Sequence, residues 1–235
     1  MPADTAVARL TSALVDGDQA HPLAEELTAW LVGSRRFRSF VESHRDKIRK
    51  KLRGAADADA RRDVRAELRI AQLLIADRRI GVAFEAYGST SGGPDFTVTV
   101  RGERAFNLEV TRLRGTPGPA ALGATVLTKL RQLPPSTPNA VLVAIEGRRA
   151  DALDVRTAIR ALRARADAKD EAFFISRGFD GSRGFYQRFL RLGAVLTWCE
   201  GGAGEDRAVS WANVSARIAI PDRALRACVH LLRAA

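Results

Sequence analysis

The residues best placed to do chemistry lie in one stretch, GGPDFTVTVRGERAFNLEVTRL, at positions 92–113. Asp95 follows Pro94 at the mouth of a predicted strand, Phe96–Arg101, and Glu109 lies inside the next, Ala105–Leu113. Gly102-Glu103-Arg104 reads as a three-residue hairpin loop between them. An odd loop puts both carboxylates on one face, with Asp95 opposite Thr111 and diagonal to Glu109. A two-residue loop would put them on opposite faces unless a bulge intervened. Two carboxylates converging in a half-buried site repel each other unless a cation or a proton intervenes. Hard oxygen donors select Mg²⁺ or Mn²⁺. Such an ion activates water and stabilises the charge that builds on a phosphodiester.

The elements that must position this pair follow from periodicity. Residues 1–20 are weakly patterned and read as a loose helix. Helices are predicted from Pro22 to Val32 and from Ser34 to Leu52, the second ending at Gly54. The alternating AADADA stretch is a linker or helix start, and Arg61–Asp77 is a strong helix with a Val64, Leu68, Ala71, Leu74 and Ile75 stripe. A strand over Ile80–Tyr87 and a loop over 88–94 lead into the hairpin. Beyond it come a helix (Ala120–Leu133) stopped by Pro134 and Pro135, a buried parallel strand (Ala140–Ile145) and a helix (Ala152–Asp167). A glycine-rich loop (Gly178–Gly184), a helix (Phe185–Leu192), strands over Ala194–Cys199 and Ala208–Ala212 and a helix (Pro221–Arg233) complete the chain, with 201–206 a flexible turn. The order predicts an α/β (α+β) mixed sheet of five or six strands flanked by helices: a helical arm over 1–60, then one α/β domain over 61–235.

Pro94-Asp95 and Glu109-Val110-Thr111, with the α-β-β-β-α-β-α order over residues 61–167, resemble the PD-(D/E)xK, or restriction-endonuclease-like, nuclease superfamily. The resemblance implies a Mg²⁺- or Mn²⁺-dependent phosphodiesterase acting on DNA, with Asp95, Glu109 and the main-chain carbonyl of Val110 as metal ligands. Glu67 occupies the place of a glutamate that many members carry on the first core helix. The chain departs from the pattern at Thr111, where the family has a lysine that orients water and neutralises charge. Thr111 can donate a hydrogen bond but brings no positive charge. Lys129 on the following helix is the candidate replacement, with Gln132 one turn on positioning water or phosphate. Arg112 and Arg114 are alternatives; Arg112 ranks lower because a regular strand points it away from Glu109.

The formal net charge of +11 fits a polyanionic partner, DNA before RNA, although solvated arginine faces give the same balance. Arg45, Arg49 and Arg53 share a helix face with Lys50 beside them, and Arg156, Arg160 and Arg163 form a smaller stripe; both are candidate phosphate contacts. His21, His44 and His230 have no metal-like spacing, and Trp198 and Trp211 read as core. No apolar run is long enough for a membrane span, nothing at the N-terminus reads as a signal peptide, and two distant cysteines point to a reducing cytoplasm. A homodimer is compatible with these features. The rival functions are a lapsed nuclease that binds nucleic acid or a protein partner, and an interaction module with merely solvated arginines.

Overall fold

The computed structural model describes residues 2–18, 20–86, 93–116, 118–146, 152–201 and 207–234. The predicted loop over 88–94 and turn over 201–206 lie mostly outside them. Four helices come first: α1 (Pro2–Leu14), α2 (Ala24–Gly33), α3 (Arg35–Ser43) and α4 (Arg45–Gly54). Next are α5 (Ala58–Ile75), β1 (Ile80–Phe84), β2 (Phe96–Val100), β3 (Phe106–Arg112), α6 (Pro119–Leu130), β4 (Asn139–Glu146) and α7 (Ala152–Asp167). The chain closes with α8 (Glu171–Ile175), α9 (Gly181–Phe189), β5 (Leu192–Glu200), β6 (Ala208–Ala212) and α10 (Asp222–Ala234).

The six strands form one mixed sheet in the order β1-β2-β3-β4-β5-β6. β1, β2 and β3 pair antiparallel, β3, β4 and β5 pair parallel, and β6 returns antiparallel to β5. The expected α/β class and mixed sheet are therefore present. β4 and β5 are buried on both faces, which explains their unbroken apolar runs. One sheet face presents Leu108, Val110, Ala140, Leu142 and Leu196 to a core shared with α5, α10 and the N-terminal helices. The other presents Val141, Val143 and Val195 to α6, α7, α8 and α9. The change from helical arm to α/β order near residue 60 is no gap in packing, because Phe37, Ile48 and Leu52 join the same core as Phe96 and Leu108.

Three local differences from the predicted elements matter to the site. The helix expected over Ser34–Leu52 is two helices broken at His44, whose backbone leaves the helical region (φ −116°, ψ 15°). Its ring packs on Phe40 and Phe84, and the Ser43 hydroxyl bonds the Ser39 carbonyl, a back-bond that bends helices. The strand expected over Ile80–Tyr87 stops at Phe84, because Glu85 adopts a positive φ of 44° that turns the chain. The β2–β3 ladder closes at Val98–Phe106 and not around a three-residue loop. Asp95 is thereby set level with Glu109 instead of Thr111. The shift of two residues leaves the parity of the ladder unchanged, and Asp95 itself lies just outside β2. Downstream, α8 was not expected, and α9 begins at Gly181 inside the predicted loop, where Glu171 accepts the Ser182 N–H (2.8 Å).

Candidate metal centre

Asp95 sits one residue before β2. Its Oδ2 accepts the Val110 N–H at 2.9 Å, and its own carbonyl accepts the Glu85 N–H at 2.8 Å. Both β1 and β3 therefore fix this carboxylate. Along a strand the N–H and C=O of one residue point the same way, so the Val110 carbonyl also faces the Asp95 side. Glu109 is buried at 4 % exposure, and its Oε1 accepts Lys129 Nζ at 2.6 Å. Glu67, buried at 7 %, reaches the same region from α5. The predicted carboxylates and Lys129 are thus brought together. Gln132 Oε1 lies 3.3 Å from Lys129 Nζ, joining the same chain of contacts. Thr111 lies two residues beyond Glu109 on β3, partly exposed.

Two site residues were missed by reasoning from the sequence. Lys51 on α4 places its Nζ 2.9 Å from Asp95 Oδ1 and 3.8 Å from Glu85 Oε1, in direct contact with Glu67 Oε2. Glu85 is the second. In the sequence Lys51 carries no mark that sets it apart, because Arg49 and Arg53 flank the buried Ile48 and Leu52 just as Lys47 and Lys51 do. Lys47 Nζ donates to the Phe84 and Glu85 carbonyls (3.2 and 2.9 Å), holding the strained turn. Lys47, Lys50, Lys51, Asp63, Glu67 and Glu85 line a cleft of about 390 Å³ between α4 and α5.

Among the described residues, ion pairs at the site join four carboxylates (Glu67, Glu85, Asp95, Glu109) to Lys51 and Lys129, and Lys47 and Lys50 line the same cleft. Burial, then the Asp95 charge, pushes the Glu67 carboxyl well above the ordinary range, with Lys51 opposing only in part. Burial and Asp95 raise Glu109 as well, against Lys129. Burial works to lower Lys51, but Glu67 and Asp95 outweigh it and hold the ammonium charged. The buried Glu67 Oε2 touches Lys51 yet receives no directed hydrogen bond. Clustered carboxylates form a hard-oxygen donor set, the chemistry that a divalent cation suits. Among the described residues no three acidic, His or Cys side chains are closed around a common point; Lys51 stands between Glu67 and Asp95.

The remaining candidates are dispersed. Arg112 points to the α5 face, as expected, and is committed to Asp59 (2.9 Å) and Asp63 (3.1 Å); Arg114 pairs with Asp63 at 2.5 Å. Arg53 forks onto Asp16 (3.0 Å), and Arg45 and Arg49 lean on Asp46 (3.4 and 3.9 Å). Lys50 lines the cleft. Arg156 and Arg160 line a groove of about 330 Å³ on α7 with Arg163 and Trp211. The two basic stripes sit on opposite sheet faces. Trp198 is core, as expected, and Trp211 is half-buried. His21 Nδ1 accepts the Leu23 N–H, a local turn contact. Both cysteines are free and buried, and no helix among the described residues is long and apolar enough to cross a membrane. Comparison with protein-family models, curated proteins and solved structures finds no significant match, so the resemblance stands on the residues described above.

Proposed function

We propose that this chain is a metal-dependent phosphodiesterase that hydrolyses DNA, of the PD-(D/E)xK kind, with its motif lysine supplied from α6. One observation carries the reading: Lys129, from a different element, bonds the very glutamate beside which Thr111 stands in the lysine's usual place. Asp95, Glu109, Glu67 and the Val110 carbonyl would hold Mg²⁺ or Mn²⁺. The cation, when bound, supplies water activation near neutral pH and stabilises charge on the phosphodiester.

The chain's own residues do the rest. An ammonium has three donors. Lys129 gives two, to Glu109 Oε1 and Gln132 Oε1, and keeps one for water or a phosphate oxygen. Glu67, whose charged form burial disfavours, keeps its Oε2 against the Lys51 ammonium. Lys51 neutralises Asp95 and Glu67 until another cation replaces it.

The test is incubation of plasmid and linear DNA with the protein and Mg²⁺ or Mn²⁺, beside Asp95→Ala. Cleavage by the wild type that falls by about 10³-fold or more in the variant supports the reading. No cleavage of any substrate, or equal cleavage by the variant, contradicts it. A second reading, a lapsed member that binds DNA without cutting, is favoured by Lys51 lying where a cation would and by Thr111. It predicts salt-sensitive binding that needs no divalent ion and persists in Asp95→Ala.

A further inference from the structure

We propose that a second cleft, beside the C-terminal end of α6, is a phosphate subsite that holds the DNA backbone away from the scissile bond. This deepens the nuclease reading and rests on it for the identity of the ligand. The cleft encloses about 310 Å³ and is lined by Arg131, Gln132, Gly178, Asp180, Arg188 and Arg191, among others. Gln132 links it to the candidate metal centre, because its Oε1 meets Lys129 Nζ.

Three features make the cleft a built anion site. First, its guanidiniums are held by main-chain carbonyls and not by carboxylates. Arg131 donates to the Arg177 carbonyl (3.1 Å), Arg188 to the Arg131 carbonyl (3.4 Å) and Arg191 to the Leu133 carbonyl (3.2 Å). None of the three is ion-paired among the described residues. Each guanidinium has five N–H donors, so most remain for a ligand. Second, Arg191 Nε is buried without a hydrogen-bond partner, so the fold does not consume this guanidinium's donors. Third, Gly178, at φ 76°, makes room for Arg131: a Cβ there would lie 2.5 Å from Arg131 Nη1. Three positive charges face one acid, Asp180, and the negative end of α6, about half a charge. The balance favours a strong anion. Forked guanidiniums match phosphate oxygens in pairs. On α4 the arginines are paired with acids, as is the buried Arg112 of β3.

The test is binding of a labelled 20-base-pair DNA to the full chain in Ca²⁺ or EDTA, followed by anisotropy from 50 to 200 mM salt. Arg131→Ala/Arg188→Ala is compared with wild type, with melting curves to establish that both are folded. The double variant should bind about tenfold or more weakly at 150 mM salt, and its slope of log affinity against log salt should be smaller by about 0.9 per arginine. Gly178→Ala, which keeps every charge but crowds Arg131, should weaken binding in the same direction. Mn²⁺ uptake at Asp95 and Glu109 should be unchanged in both variants. Wild-type affinity and slope in the folded double variant, or no DNA binding by the wild type, would overturn the subsite whatever the cleavage assay gives. Loss of binding by the variant beside a wild type that cleaves nothing would keep the subsite and remove the nuclease reading.

Discussion

Glu67 and Glu109 bind protons more tightly in the folded chain than in the unfolded one, because burial and Asp95 raise both. Their protonated forms add stability below the ordinary glutamate value, about 4.3, and that contribution is lost as pH rises through the raised folded values. Relative to Glu67→Gln, the metal-free protein should therefore lose stability as pH climbs toward neutrality, with the variant melting a few degrees higher at the upper end. Melting curves in EDTA from pH 4 to 8 measure this; a wild type that becomes more stable with pH relative to Glu67→Gln would count against it. Lys129 makes a second claim at this scale. Lys129→Ala should lower cleavage by about 10²–10³-fold at little cost in DNA affinity. Thr111→Lys in that background should restore part of the rate, since it returns an ammonium to the strand carrying Glu109. Equal loss in both variants would deny Lys129 the role. Asp95 and Glu109 were legible in the sequence as a Pro-Asp turn before one strand and a glutamate inside the next; their shared face rested on the loop length assumed between them. Lys51 was not: it comes from α4, and nothing local says that the chain bends at His44 to aim it.

Elements were legible wherever a period or a breaker marked them. Asp57 accepts the Ala60 N–H and starts α5, as an N-cap aspartate should, and Pro134 follows α6 as expected. The misses have tertiary causes. The break between α3 and α4 depends on the His44 ring finding Phe84, a residue 40 positions away. The ladder closing at Val98–Phe106 leaves Thr99 and Val100 paired only with β1, a choice the hairpin sequence does not encode. At this scale the arm is structural as well as functional. Phe37, fully buried, packs its ring against Trp30 and Phe40. Phe37→Ala should cost about 3–5 kcal/mol in denaturant unfolding. The variant should still unfold in a single transition, because arm and sheet share one core. A separate early transition for the arm would contradict that.

Across the whole molecule, the charge of +11 is unevenly employed. Many arginines serve the fold: Arg65 forks onto Glu26 and Glu200, tying α2, α5 and β5 together, and Arg112 gathers Asp59, Asp63 and Glu146. The net charge could be read from the sequence, but the paired and unpaired arginines could be told apart only once the acids were placed. What the fold does bring into one neighbourhood is the carboxylates of Glu67, Glu85, Asp95 and Glu109 with the lysines paired to them, and the central claim is that a divalent cation binds there. Calorimetric titration of Mn²⁺ into the metal-free protein tests this most directly, beside Asp95→Ala/Glu109→Ala. The account predicts saturable heat with the wild type and a flat trace with the double variant. A flat wild-type trace, or equal heat from both proteins, would contradict it.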